Sequence, residues 1–350
     1  MNTYKGLYPR IYDFQILYKA YLRSRRGRRY NHQVLVFTNN LEGELIQLQN
    51  DLIWKTYHTG RYILFYVYDP KTRSAAALPF RDRVLQHALC AIIEPLFDRK
   101  FIFDSYACRV NKGTHAGVKR VTEFLTRASN KWENPYCLKA DIRKFFASIK
   151  QNTLLSIIKR TIACEDTLWL INDILTSWAN SDDLDPRGLP LGNLTSQLWA
   201  NVYLDQLDHY VKEVLQVPFY VRYMDDFIII DGDKTKLWYL KREIEDFLDE
   251  KLGLHFNNKT SIFPVSHGVD FLGYRIWKDH KLLRKRSTKR IRRALKRLKR
   301  DYGEGKVTAE RINSTVQSWL GHANHADSYR FRQKLFSELT FCKTLENNNE

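Results

Sequence analysis

Three aspartates carry the first chemical signal in this 350-residue chain. Asp225 and Asp226 are adjacent and divide the apolar stretch 219–230 (FYVRYMDDFIII) into two short runs, which reads as a β-hairpin. An unpaired ionised carboxylate in apolar surroundings has a large desolvation cost. At a hairpin tip that cost falls, and the pair can point into a cleft. Asp is also common in turns, so a plain polar turn explains the pair alone equally well. Asp141 changes the balance. It ends the apolar strand YCLKA and precedes the basic, aromatic run IRKFF. Three carboxylates on two neighbouring strand ends would make an oxygen-rich site suited to Mg²⁺, which shares its shell with substrate phosphates. Two such ions about 3.5–4 Å apart could activate an attacking 3′-hydroxyl and stabilise a leaving pyrophosphate.

The charge balance fits such a substrate. Lys and Arg number 57 against 39 Asp and Glu, a formal net charge of +18. That excess points to a polyanionic partner, nucleic acid first and an anionic membrane surface second. Residues 281–300 (KLLRKRSTKRIRRALKRLKR) contain 12 Lys or Arg and no acid. Ile291, Leu295 and Leu298 recur there at helical spacing, so the segment is expected to be a basic amphipathic helix. A second cluster holds Arg23, Arg25, Arg26, Arg28 and Arg29, and the sequence leaves open whether it grips RNA or a protein partner. The five cysteines form no CxxC pair, which argues against a zinc ribbon or a disulfide scaffold. His322 and His325 stand three apart on a possible helix, and structural roles are expected for them. No run of 18 apolar residues and no apolar leader occur, so a reducing cytosol or nucleoplasm and no membrane span are expected.

The elements that must position these groups alternate between strand and helix patterns. Residues 61–68 are expected as a strand, and 82–97 as a helix with Asp82 as its N-cap. Residues 136–142 read as a short strand, 151–180 as one or two helices, and 195–215 and 237–248 as further helices. The fold class is α+β, with a mostly helical C-terminal third from about residue 278.

Tyr223-Met224-Asp225-Asp226 resembles the YxDD box of reverse transcriptases, and the segments around it follow that family's order. RDRVLQHAL (81–89) resembles the early finger motif, SYACR (105–109) the next block, and KADIRKFFASI (139–149) the motif with the first catalytic aspartate. GLPLGNLTSQLWANVYLDQLDHYV (188–211) resembles the helix that follows; HFNNKTSI (255–262) and VDFLGYRI (269–276) resemble the closing palm motifs. The resemblance covers roughly 60–277. In the fourth motif this chain has Leu191-Gly192 and Ser196-Gln197, where group II intron and retroviral enzymes usually have Gln-Gly and Ser-Pro. That LGxxxSQ form is similar to reverse transcriptases of diversity-generating retroelements.

The resemblance implies a right-hand polymerase. Fingers and an N-terminal extension would take 1–135 with part of 150–200, the palm 136–277, a basic helical thumb 278–345, and a frayed tail 346–350. It implies error-prone copying of a template RNA into cDNA, with mistakes opposite adenine, for targeted gene diversification. The implied partners are template RNA, the RNA–cDNA duplex, deoxynucleotides and a small basic accessory variability protein. The setting would be the cytoplasm of a bacterium or archaeon, or a phage genome. A group II intron-like or retron enzyme is the alternative in the same class. A catalytically silent RNA-binding protein is the alternative outside it, opposed by the intact aspartate trio. No ribonuclease H, maturase or endonuclease extension is expected.

Residue roles follow from the same resemblance. Asp141, Asp225, Asp226 and the Ile142 carbonyl would hold a two-Mg²⁺ site. Phe146 would be the gate against a 2′-hydroxyl, with Phe145 or Phe146 as plain core the alternative. Lys71 and Arg73 would contact the incoming nucleotide, Arg being a planar donor fork for phosphate; a solvated loop is the alternative. Leu191 stands where many relatives place Gln near the nascent base pair, and Gln197 replaces a Pro. Lys259 would help protonate the pyrophosphate, or is a surface lysine. Arg81, Arg83 and Arg109 are weaker candidates for phosphate or template contacts, with a structural ion pair the alternative for Arg83. Arg284, Lys285, Arg286, Lys289, Arg290 and Arg293 would track the duplex backbone, with a solvated face or a docking face for the accessory protein the alternative.

Overall fold

A computed structural model describes residues 3–68, 72–178 and 185–342, with Arg73 placed through its main chain. The N-terminal pattern resolves into α1 (Tyr8–Ile11) and α2 (Phe14–Ser24), separated where the Asp13 carboxylate caps α2 by accepting from Ile16 N. Helices α3 (His32–Asn39) and α4 (Leu41–Ile53) follow, then the antiparallel pair β1 (Ile63–Val67) and β2 (Arg73–Ala77). Next come α5 (Phe80–Asp98), α6 (Thr114–Lys131), β3 (Tyr136–Asp141), α7 (Phe145–Ser148), α8 (Gln151–Lys159) and α9 (Glu165–Thr176). The long buried helix α10 (Leu194–His209) leads to β4 (Tyr220–Tyr223), β5 (Asp226–Asp231) and α11 (Lys234–Phe247). The remainder is β6 (Ser261–Pro264), β7 (Val269–Phe271), β8 (Tyr274–Ile276), β9 (Lys281–Leu283), α12 (Lys285–Gly303), α13 (Ala309–Ala323) and α14 (Tyr329–Ser337).

The fold is α+β, as the sequence pattern indicated. A four-stranded sheet has the order β4-β5-β3-β6, and β7, β8 and β9 form an antiparallel three-stranded sheet. The chain divides into two compact units whose boundaries interleave. One holds residues up to Val110 with Lys139–Phe227 and Tyr239–Thr260; the other holds Asn111–Leu138, Ile228–Trp238 and the residues from Ser261 onward.

In the first unit α10 is buried on nearly every side, with Leu198, Trp199, Tyr203, Leu204 and Leu207 in the core. It packs against α5 and α8, which contribute Val84, Leu85, Leu89, Leu154 and Ile158 to the same core. In the second unit α12 buries Ile291, Leu295 and Leu298 and keeps its basic residues outward, so the expected amphipathic helix is present.

One expected cap is corrected. Helix α5 begins at Phe80 with Pro79 at the N-cap position. Asp82 lies inside the first turn, buried, and accepts a 2.7 Å hydrogen bond from the Tyr57 hydroxyl. Proline fixes the φ needed to enter the helix, so the carboxylate is freed to anchor a neighbouring segment.

Candidate active site

The site is built on strand ends. Strand β5 is anchored by the buried side chains Phe227, Ile228, Ile229 and Ile230, and β3 by Cys137, Leu138 and Ala140. Burial stops where the carboxylates begin: Asp141, Asp225 and Asp226 are all half-buried. The end of β3 lies beside the start of β5, where Ile142 N donates to Asp225 O at 3.3 Å. A third segment closes on Asp141. Asn257 N donates to its carbonyl at 2.7 Å, and Asn257 Nδ2 donates to its carboxylate Oδ2 at 2.9 Å. Asn257 belongs to the FNNKT run, where the sequence had drawn attention to Lys259 instead.

Two residues connect β4 to β5, and the first, Met224, has φ +58°. A positive φ at the first position is a feature of type II′ hairpin turns, where glycine is usual. For a side-chain-bearing residue it costs roughly 1–2 kcal/mol. Strain of this kind persists only where surrounding contacts over-determine it.

The main such contact is Arg222, whose side chain and that of Asp208 are both 0% exposed. Arg222 Nε donates to Asp208 Oδ1 at 2.7 Å and Nη2 to Oδ2 at 2.6 Å, a two-pronged pair. Nη1 donates to Asn201 Oδ1 at 3.2 Å and to the Met224 carbonyl at 3.1 Å. Tyr220 OH donates to Asp208 Oδ1 at 2.7 Å. Burial alone would lower the guanidinium pKa, but the charge of Asp208 and its hydrogen bonds raise it, so Arg222 stays ionised. Asp205, one turn before Asp208 on α10, is pushed up to about 7 by burial and then by the charge of Asp208. Sequence reasoning missed this group. Its signal was a polar line, Asn201, Asp205 and Asp208, at helical spacing among the apolar Leu198, Tyr203, Leu204 and Leu207, with an arginine inside an apolar strand.

The other expected site residues separate into placements. Phe145 is core, and Phe146 is half-buried beside it with ring centroids 5.4 Å apart. Leu191 is half-buried and its carbonyl accepts from Ala76 N of β2 at 2.8 Å, tying the LG segment to the strand that Arg73 begins. Gln197 is exposed in the first turn of α10, and Lys259 is exposed. Lys71 lies outside the described residues.

Three half-buried arginines are tied to neighbouring groups of the protein. Arg81 pairs with Asp51, and Arg83 Nε donates to the Leu78 carbonyl at 2.8 Å. Arg109, with its side chain 8% exposed, binds Asp98 Oδ1 at 2.6 Å and the carbonyls of Ile102 and Ser105 at 2.7 and 3.0 Å. Its guanidinium braces a loop, with Asp98 and these carbonyls taking up its donors. On α12, Lys285, Arg286, Lys289, Arg290 and Arg293 are exposed, while Arg284 pairs with Asp270.

Among the described residues, no three Asp, Glu, His or Cys side chains stand grouped as a ready-made metal cage. The donor chemistry still fits Mg²⁺, which binds through one or two carboxylates plus substrate phosphates rather than through all-protein cages. Asp141 and Asp225 could offer carboxylate oxygens from adjoining strand ends, where Ile142 N donates to Asp225 O. Among the described residues, no helix is long and apolar enough to cross a membrane.

The reverse transcriptase (RNA-dependent DNA polymerase) family matches residues 69–276, more than half of the chain and all of the strand-end site. The chain belongs to this family, and its α+β architecture is the family's polymerase fold. It is 26% identical over 263 residues to the protein YkfC of Escherichia coli (strain K12), covering 63% of this chain and 67% of that one. It is 24% identical over 336 residues to the group II intron-encoded protein LtrA of Lactococcus lactis subsp. cremoris, covering 76% and 51%. The chain thus spans about half the length of LtrA. Among solved structures, apo telomerase from Candida tropicalis has a TM-score of 0.49 at 11% identity, covering 68% of this chain and 53% of that one.

Proposed function

We propose that this chain copies an RNA template into DNA, adding deoxynucleotides to a primer 3′-hydroxyl with divalent metal ions. The carrying observation is the hydrogen bond from Ile142 N to Asp225 O, which sets Asp141 beside Asp225-Asp226. In this reading Asp141, Asp225 and Asp226 hold the ions together with the Ile142 carbonyl. When bound, a pair of Mg²⁺ ions supplies activation of the 3′-hydroxyl and neutralisation of the leaving pyrophosphate. Asn257 fixes the Asp141 carboxylate by donating to Oδ2. Phe146 fills the space a 2′-hydroxyl would need, Arg73 and Lys71 bind the triphosphate, and Lys259 delivers a proton to pyrophosphate. The exposed bases of α12 hold the template–product duplex by its phosphates. Fingers (1–135 and part of 150–200), palm (136–277) and thumb (278–345) are the functional partition that goes with these roles.

The finer reading is an adenine-mutagenic enzyme of the diversity-generating type, working with a small basic accessory protein. Leu191 supports it: an apolar side chain replaces a hydrogen-bonding group near the nascent pair. A second reading, an intron-encoded type of enzyme, is favoured by the similarity to LtrA. Both are tested by extending a DNA primer on an RNA template with Mg²⁺ and sequencing the product. Extension supports polymerisation, and its absence refutes it. Substitutions concentrated at template adenines support the first type; errors spread evenly over the four bases support the second.

A further inference from the structure

We propose that Arg222 and Asp208 are positioning residues that set the direction of the Asp225 side chain. The inference rests on the polymerase reading for its consequence, and on main-chain geometry for its mechanism.

Asp225 lies between two peptide groups. The one before it carries the Met224 carbonyl, which accepts from Arg222 Nη1 at 3.1 Å. The one after it carries the Asp225 carbonyl, which accepts from Ile142 N at 3.3 Å. Fixing both peptide planes fixes both backbone rotations at Asp225, and with them the direction of its Cα–Cβ bond. The second bond is main chain to main chain, one residue past the end of β3 and one before the start of β5. The first is a side-chain device, and it holds a turn whose preceding residue has φ +58°.

The arginine is itself immobilised from four sides. Two prongs close on Asp208 of α10, and Nη1 also reaches Asn201 two turns earlier on that helix. Its main chain is held as well, with Arg222 N donating to Asp104 O and Tyr106 N donating to Arg222 O, both at 3.0 Å. Asn201 Nδ2 donates to the Ala107 carbonyl at 2.8 Å, so the acceptor is held too. The assembly is a rigid strut from α10 to the carbonyl just before Asp225. Stability alone does not require it, because a buried ion pair is often replaceable by neutral groups of similar volume without loss of stability.

That property supplies the test. The double variant Arg222→Met/Asp208→Asn removes both charges together and keeps an acceptor for Tyr220 OH. It is compared with wild type by melting temperature, by amide hydrogen exchange at Ile142, and by kcat and KM for deoxynucleotide on an RNA template. The expected result is a folded protein, exchange at Ile142 at least ~10-fold faster, KM within about twofold, and kcat lower by about 100-fold, the scale of a 1 Å misplacement. A folded variant with wild-type exchange at Ile142 and wild-type kcat overturns the proposal. Should the double variant melt below the assay temperature, Arg222→Lys carries the same expectation and the same refutation, since lysine keeps the charge opposite Asp208 but has no second arm for the Met224 carbonyl. Exchange at Ile142 is read without substrate. A wild-type protein that extends no primer therefore refutes the polymerase reading and leaves the strut to be judged by exchange.

Discussion

Replacing Gly192 by alanine should separate the LG segment from β2. Gly192 has φ +131°, and a Cβ there would stand 2.3 Å from the carbonyl oxygen of Ala76. An ordinary contact needs about 3.5 Å, so the segment must retreat by roughly 1 Å. The obstructing atom is main chain and cannot swing aside. The retreat breaks the 2.8 Å bond from Ala76 N to Leu191 O, in a residue that is 2% exposed. Leaving a buried amide unsatisfied costs about 1–3 kcal/mol, and the positive φ adds roughly 1–2 kcal/mol. A total near 2–5 kcal/mol corresponds to a fall in melting temperature on the order of 10 °C. Gly27→Ala is the control. It has φ +70° but no heavy atom within 4 Å of the added Cβ, so it carries the backbone cost alone and should lose a few degrees. Hydrogen exchange at the Ala76 amide should accelerate in Gly192→Ala and stay unchanged in Gly27→Ala. Equal melting temperatures for the two variants, with Ala76 equally protected, would refute the reasoning.

Other outcomes follow from the same geometry. Asp205, raised to about 7 by burial and Asp208, keeps in the folded state a proton that the unfolded chain releases near its ordinary value. Stability should therefore fall as pH rises from about 4 through 7, and Asp205→Asn should remove that loss, gaining on the order of 2 kcal/mol over wild type at pH 8 and nothing at pH 4; urea unfolding at both values checks the sign. Changing Lys285, Lys289 and Arg293 on α12 to glutamine should weaken RNA–DNA duplex binding and flatten its salt dependence by roughly 0.9 in log–log slope per lost phosphate contact. An unchanged slope would remove the duplex role of that face. Leu191→Gln should lower misincorporation opposite template adenine, measured by sequencing product DNA; an unchanged error spectrum would show that Leu191 only packs.

Much of the fold was legible because its elements bury one face with regular period. The apolar runs on either side of Asp225-Asp226 gave the β4–β5 hairpin, and the spacing of Ile291, Leu295 and Leu298 gave α12. Residues 151–180 showed helical spacing throughout, and the break into α8 and α9 falls at Arg160–Cys164, where no strong breaker marks it. What was not legible depends on contacts between segments far apart in sequence. Arg222 reads as a stray charge until Asp208 and the Met224 carbonyl close around it. Nothing beside Arg109 in sequence shows that Asp98 and two carbonyls take up its donors. Asp82 reads as a cap until the Tyr57 hydroxyl reaches it. Asn257 was passed over because an amide beside a lysine gives no sign that it serves a carboxylate in another strand.

The central claim is that Asp225, beside Asp141 at the joined strand ends, is a metal-holding carboxylate of a polymerase. The direct measurement is RNA-templated deoxynucleotide incorporation by wild type and Asp225→Asn across a Mg²⁺ titration, with the melting temperature of both proteins taken alongside. The account predicts a folded variant whose incorporation falls by at least ~1,000-fold, the order lost when a principal charge-stabilising group is removed, and is not restored by any Mg²⁺ concentration. A folded Asp225→Asn protein that incorporates nucleotide at the wild-type rate with the wild-type Mg²⁺ midpoint would contradict it.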